Sequence, residues 1–370
     1  KKKATKATIG QRTSGDRKYY IIKLNEPIKT SKLQIGVGRY GSTPRMVRIS
    51  EIRFHAYDSL EQDIMDLYAD DLHIVLKDNV TAEVIQKLQD RLNTKDTASG
   101  EFHPDRESLQ KELDMAKLLL ETELSDVVQV NPNITAENDK SIAVGGMNSW
   151  QPLGVTAASG DQIVVYVGNP GMKAGASTNV QLVFTQQHAE SSNFYIAVNL
   201  KIGRNEITLP KISSTIQEKG GALYVQYNGN KPTDQYAVRV SGGTKFPILN
   251  LYHVPEEEYN KRINAYVQEL KAYVAELETQ HEKLHSTSEN ESVAYTYDAK
   301  NCILNVTDIQ MDKVMISVPA SQILAGLSGG NEEQNLLNAV EAMDNMLTLF
   351  YQHKGLTDSF AEGTDPKEIE

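Results

Sequence analysis

Gln162-Ile163-Val164-Val165-Tyr166-Val167, closed by Gly168-Asn169-Pro170-Gly171, is the stretch whose reading decides the fold. Four of its six residues are β-branched and a fifth is tyrosine, a composition that suits a pleated surface, and the run is too short for a buried helix. The Gly-Asn-Pro-Gly that follows is turn chemistry. Similar runs recur at Val180–Thr185, Phe194–Leu200, Glu206–Leu209, Ala222–Tyr227, Tyr236–Val240 and Pro247–Tyr252, with further turns at Asn228-Gly229-Asn230 and Gly242-Gly243. Strands at this spacing predict an all-β sandwich over 126–254.

On either side the periodicity changes. Upstream, Leu60 to Leu72, Thr81 to Leu92 and Asp105 to Leu124 carry apolar residues three and four apart, with Thr81 and Asp105 placed as N-caps. This predicts a small helical linker bundle over 58–125. Ahead of it, Tyr20–Leu24, Leu33–Val37 and Ile49–Phe54 alternate apolar and polar residues. Three strands cannot bury a core alone, so 1–57 is expected to be the C-terminal part of a β-sandwich. Downstream, Glu256 to Leu284 is a long amphipathic helix with its stripe at Ile263, Tyr266, Val267, Leu270, Tyr273, Val274, Leu277 and Leu284. Short strands at Ala294–Tyr297 and Val314–Val318 follow, then helical stretches from Ser317 to Leu327 and from Asn331 to Tyr351, and a polar acidic tail from Gly355 that is expected to fray. The expected fold class is mainly β with helical segments, an α+β multidomain chain: partial sandwich (1–57), helical bundle (58–125), second sandwich (126–254) and an α-rich region (255–370).

Composition narrows the function. A hydrophobic content of 39% fits globular domains, and no apolar run is long enough to span a membrane. Lys1 is not an initiator, so the chain is expected to be an interior fragment or processed product, with any export signal outside it. The net charge of −11 conceals an asymmetry: residues 1–53 hold fourteen Lys or Arg against three Asp or Glu, and the remainder holds 24 against 46. A basic segment raises the question of a polyanion. Four of its lysines sit in the opening Lys-Lys-Lys-Ala-Thr-Lys, and no helix-turn-helix, zinc-finger or RNA-binding signature accompanies it, so no nucleic-acid partner is expected. The single cysteine, Cys302, excludes an intrachain disulfide and reads as a small buried apolar residue.

His281-Glu282-Lys283-Leu284-His285 is a literal HExxH, the spacing with which zinc proteases place two imidazoles on one helix face. Such a site needs a third protein ligand and an open position for water. Glu289 and Glu291 lie too close in sequence to fold back, no glutamate occurs from Ser292 to Asn331, and Asp298 and Asp308 fall in strand or turn. His281 also continues the apolar stripe of its helix. The match therefore reads as helix-terminal polar residues, and no catalytic or metal residue is assigned from it.

Several stretches occur in a telling order: Asn148-Ser149-Trp150-Gln151-Pro152-Leu153-Gly154-Val155, the strand from Gly160 to Gly168, Leu200-Lys201-Ile202-Gly203-Arg204-Asn205-Glu206-Ile207, Gly220-Gly221-Ala222-Leu223-Tyr224-Val225, Val238-Arg239-Val240-Ser241-Gly242-Gly243, Ser317-Val318-Pro319-Ala320 and Leu349-Phe350-Tyr351-Gln352-His353-Lys354-Gly355. Together they resemble the accessory β domain of the enhancin-like zinc metallopeptidases of mucosal bacteria, and the stretch that precedes their catalytic domain. Tyr19-Tyr20-Ile21-Ile22-Lys23-Leu24 and Ile49-Ser50-Glu51-Ile52-Arg53-Phe54 resemble the end of a discoidin-like, galactose-binding carbohydrate module. The resemblance implies zinc-dependent cleavage of mucin-type O-glycoproteins by a secreted or cell-surface bacterial enzyme. The family's metal-binding HExxH lies beyond the region matching Phe350–Gly355, so zinc is expected in the full-length enzyme and not in this portion. The partners implied are O-glycosylated host glycoproteins or mucin glycans and the catalytic domain of the same protein.

Two other functions compete: a glycan-binding adhesion protein with no hydrolase, and a zinc peptidase that uses the HExxH with Glu282 as general base. Glycan-binding residues stay unassigned. Trp150, Tyr166 and Tyr224 offer rings for sugar stacking but suit core packing better, and Arg39, Arg45 and His55 suit a solvated strand end as well as a glycan contact.

Overall fold

The computed structural model describes residues 7–14, 17–24, 52, 58–97, 100–132, 150–171, 174–185, 195–212, 220–231, 233–287, 302–312 and 314–354. The expected mainly-β, α+β organisation is what it shows, with four sheets and six helices among those residues. The expected strand at Tyr20–Leu24 belongs to β2 (Arg17–Leu24), which pairs antiparallel with β1 (Ala7–Ser14). β1 gave no alternating signal because Ile9 is its one large apolar residue. The expected strands at Leu33–Val37 and Ile49–Phe54 lie outside the described residues, Ile52 apart, as do Arg39, Arg45, His55, the strand at Ala294–Tyr297 and the tail from Gly355.

The helical bundle consists of α1 (Leu60–Met65), α2 (Ala82–Leu92) and α3 (Arg106–Glu121). Thr81 caps α2, its hydroxyl accepting from Val84 N. Asp105 precedes α3 as expected, but it uses its carbonyl, which accepts from Leu109 N at 3.0 Å, and not its side chain. The expected helix from Leu60 to Leu72 ends early, at Met65. Asp70 turns the chain by accepting from Leu72 N, and His73 sits at φ 57°, where a right-handed helix cannot continue. The helical apolar spacing there serves a loop closed by a Tyr68–Leu76 bridge.

The sandwich has two antiparallel sheets. Sheet I runs in the order β3 (Val128–Val130), β10 (Tyr236–Ser241), β5 (Gln162–Gly168), β8 (Gly203–Thr208). Sheet II runs β11 (Thr244–Lys245), β4 (Trp150–Ala157), β9 (Gly221–Tyr227), β6 (Ser177–Thr185), β7 (Tyr195–Lys201). Strand alternation sends Ile163, Val165 and Val167 of β5, and Leu223, Val225 and Tyr227 of β9, into the core between them. Of the intervening residues Tyr166 and Tyr224 are buried too, and Val164 and Gln226 are half-buried. Tyr166 and Ala237 on the outer face of sheet I pack into the core of the helical bundle, and Arg239 of β10 donates to the Ile74 and Ser125 carbonyls. Trp150, Val183, Ala222 and Tyr224 on the outer face of sheet II pack against Leu304 and Val306.

Those last two residues lead into a three-stranded sheet that the sequence only half revealed. β12 (Ile248–Asn250) pairs parallel with β13 (Thr307–Gln310), which pairs antiparallel with β14 (Met315–Val318). Its far face is covered by α4 (Glu256–Thr287), α5 (Ala320–Leu327) and α6 (Glu332–Lys354). The predicted stripe of α4 is its buried face as far as Leu277, with Ile263, Tyr266, Val267, Leu270, Val274 and Leu277 buried and Tyr273 half-buried; the Leu284 side chain lies outside what is described. The chain from Leu60 to Lys354 thus stacks as five layers: helices, sheet I, sheet II, the three-stranded sheet, helices. Among the described residues no helix is long and apolar enough to cross a membrane.

Backbones approach closely where the helical layer meets sheet I. A Cβ on Gly168 would lie 2.2 Å from the Leu72 carbonyl oxygen. Gly168→Ala is expected to destabilise the fold by about 1–3 kcal/mol, because backbone must move to admit it. Gly326→Ala in α5, where a Cβ meets nothing within 4 Å, is expected to stabilise by about 0.5–1 kcal/mol through helix propensity. Urea midpoints of the two variants, moving in opposite directions, check both.

Candidate functional site

α4 continues through His281, Glu282 and His285, so the two histidines do lie one helical turn apart along the backbone. His281 is half-buried and Glu282 is exposed, while the His285 side chain is outside what is described. The turn before them is held down by Gln280, whose side-chain oxygen accepts from Ile303 N at 2.7 Å. Glu289, Glu291 and Asp298 are outside the described residues. Asp308, the remaining acid considered as a third ligand, is engaged by Tyr224 and Ser317. Among the described residues no three His, Cys, Asp or Glu side chains converge as metal ligands. Among the described residues the donors do not make a zinc site.

Asp308 is the one acid buried among the described residues. In β13 the odd residues Thr307 and Ile309 face the helices, where Thr307 meets Tyr266. The even residues Val306 and Asp308 therefore face sheet II, and β14 brings Ser317 directly opposite Asp308. The carboxyl is 0% exposed. The Tyr224 hydroxyl stands 3.3 Å from its Oδ1 and 3.5 Å from Ser317 Oγ, and Oδ2 has no hydrogen-bond partner. Burial pushes the Asp308 carboxyl up to about 7, and the Ser317 and Tyr224 hydroxyls draw it part of the way back. Burial also pushes the Tyr224 phenol well above its ordinary value, with the neighbouring Asp308 adding to the effect.

The far side of β13 is fully satisfied by contrast. Thr307 Oγ1 donates to the Pro247 carbonyl at 2.8 Å, so the Tyr266 hydroxyl, also at 2.8 Å, is the donor to Thr307. Removing the threonine oxygen leaves a buried phenol and a buried carbonyl unpaired. Thr307→Val is expected to cost about 1–3 kcal/mol. Combined with Tyr266→Phe it should cost less than the sum of the two, since both remove one bond. Urea unfolding of the double-mutant cycle checks this.

The aromatic candidates are core residues: Trp150, Tyr166 and Tyr224 are all buried. Trp150 stacks on Tyr224 at 5.5 Å between ring centroids and meets the half-exposed Tyr195 edge-on at 4.9 Å. Cys302 is buried as expected. The residue that sequence reasoning misjudged is Asp308, weighed there only as a metal ligand. The available signal was its position as an acid beside Val306 and Ile309 in a segment of alternating apolar residues.

No protein-family model matches the chain, and no curated protein does. Solved metallopeptidase structures resemble it in part. The M60 catalytic domain of Clostridium perfringens ZmpC, solved in complex with the sialyl T antigen, is 21% identical over 54% of this chain and 35% of that one, with a TM-score of 0.36. The Clostridium perfringens ZmpB structure with two CBM32 domains and an M60 catalytic domain is 19% identical over 73% of this chain and 25% of that one, at a TM-score of 0.41. A Bacteroides thetaiotaomicron metallopeptidase is 17% identical over 84% of this chain and 43% of that one, at 0.43. The chain spans about a third of the length of the first of these.

Proposed function

We propose that this chain is the scaffold and targeting portion of a secreted or cell-surface bacterial zinc metallopeptidase acting on O-glycosylated, mucin-type glycoproteins, with its metal-holding motif outside these 370 residues. The observation that carries the reading is the order of the enhancin-like motifs along one run of elements. They fall on β4, on β5 with its preceding turn, across β7 and β8, on β9, on β10 with its glycine turn, at the β14–α5 junction and at the end of α6. In this reading 126–254 is the accessory sandwich, 1–57 ends a carbohydrate-binding module, and 58–125 joins them. The region 255–370 leads into the catalytic domain. The end of α6 supports contact with such a domain: Met346 and Leu349 are 55% and 67% exposed.

The test is elemental analysis of the purified chain with glycopeptide assays on the same sample. Well under one zinc per chain is expected, with binding to a mucin-type glycopeptide carrying the sialyl T antigen, no cleavage of it, and the same result for Glu282→Gln. About one zinc per chain with cleavage lost in Glu282→Gln overturns the reading and makes His281 and His285 ligands. Failure to bind any O-glycopeptide removes the targeting role.

A further inference from the structure

We propose that the Tyr224–Asp308–Ser317 seam is a proton-operated latch: protonated Asp308 lets the three-stranded sheet and its helices lie dry against sheet II, and ionised Asp308 loosens them. The proposal is independent of the peptidase reading, and it stands on position. Asp308 is on the central strand of its sheet, with Ile248 of β12 and Ser317 of β14 in register on either side. That row faces the apolar outer surface of sheet II. The carboxyl is fully buried with one oxygen unpartnered.

The groups that face it cannot compensate a charge. From β9 it meets the Tyr224 phenol, from β14 the Ser317 hydroxyl, and from β12 the apolar Ile248. From α4, through the other face of β13, the only titratable group coupled to it among the described residues is Tyr266, itself pushed up by burial to about 12. No Lys, Arg or His is among the influences on its carboxyl. Two hydroxyl donors serve one oxygen, Ser317 from an exposed position on the edge strand, and an ionised Oδ2, itself shielded from solvent, would be left without a partner, where an unsolvated charge is strongly disfavoured. Admitting water at the seam relieves it.

The sign is opposite to that of an ordinary paired carboxylate. Burial raises the folded-state value from the usual 3.8 to about 7. Between these values the folded chain holds a proton that the unfolded or opened chain has released. Stability of the seam is therefore full at the acid end, falls as pH rises through the window, and is flat above it.

Trp150 is the one tryptophan and stacks on Tyr224, so its fluorescence reads the seam directly. The experiment follows Trp150 emission and amide exchange of Ile309, Gln310 and Ile316 from pH 4 to 8.5 in the native chain and in Asp308→Asn. Relative to the variant at each pH, protection in the native chain should fall about tenfold per pH unit between about 4 and 7, then level off. Emission should shift as the folded-state carboxyl ionises, near pH 7, and stay flat in the variant. Tyr224→Phe removes a donor to the ionised form and should move the transition to higher pH. A native chain with a constant protection ratio, or a transition that survives Asp308→Asn, overturns the latch. Should Asp308→Asn not fold, the decision passes to Tyr224→Phe: an unmoved transition overturns the proposal and an upward shift supports it.

Discussion

The outer face of sheet II carries Trp150, Val183, Ala222 and Tyr224, all buried, and the C-terminal part of the chain is what keeps water from them. A sandwich ordinarily has one wet face on each sheet. Here neither sheet has one over its central strands. Leaving Val183 and the aromatic pair exposed would forgo about 1.5–3 kcal/mol for each large side chain. The three-stranded sheet covers that face, and because a small sheet has two sides of its own, it requires α4–α6 in turn. The same logic operates on sheet I, where Tyr166 and Ala237 bring in the helical bundle. Each layer exists because its neighbour has a second apolar face.

Stacking of this kind makes polar groups in the inner layers costly unless they are matched. Thr307 meets the requirement with a donor on one side and an acceptor on the other. Arg239 meets it with two loop carbonyls, which also fixes where the helical bundle sits on sheet I. Asp308 does not meet it as an anion. A buried group with a missing partner is a place where solution conditions act on the packing of whole layers, and here that place lies between the sandwich and the long helix.

The same architecture bears on the HExxH. α4 spends its apolar stripe on Ile309, Met311 and its neighbouring helices, and Gln280 fastens its last turns to Ile303. Its burial is that of a layer-covering helix. The acid that sequence spacing allowed as a third ligand is turned toward sheet II, because strand alternation puts Asp308 on the opposite face of β13 from Thr307 and Ile309, which meet the helices.

Local pattern was enough for the sandwich strands β5 to β10, for α2 with its Thr81 cap and for α4 with its buried stripe, because each of these has a short period that repeats within the element. It misread the end of α1, where Leu67, Tyr68 and Leu72 keep helical spacing while Asp70 and His73 turn the chain; it missed β1, β3, β11 and β13, which are short or polar, and β4, whose Pro152 and Gly154 interrupt the strand pattern. What it could not reach is pairing across distance. That β12 lies beside β13, about sixty residues later, and that Asp308 faces Ser317 and Tyr224, are decided by which apolar surfaces remain to be covered once each layer has formed. Composition and periodicity along the chain determine the elements and their apolar faces; only the stacking of those faces decides which polar groups are sealed inside.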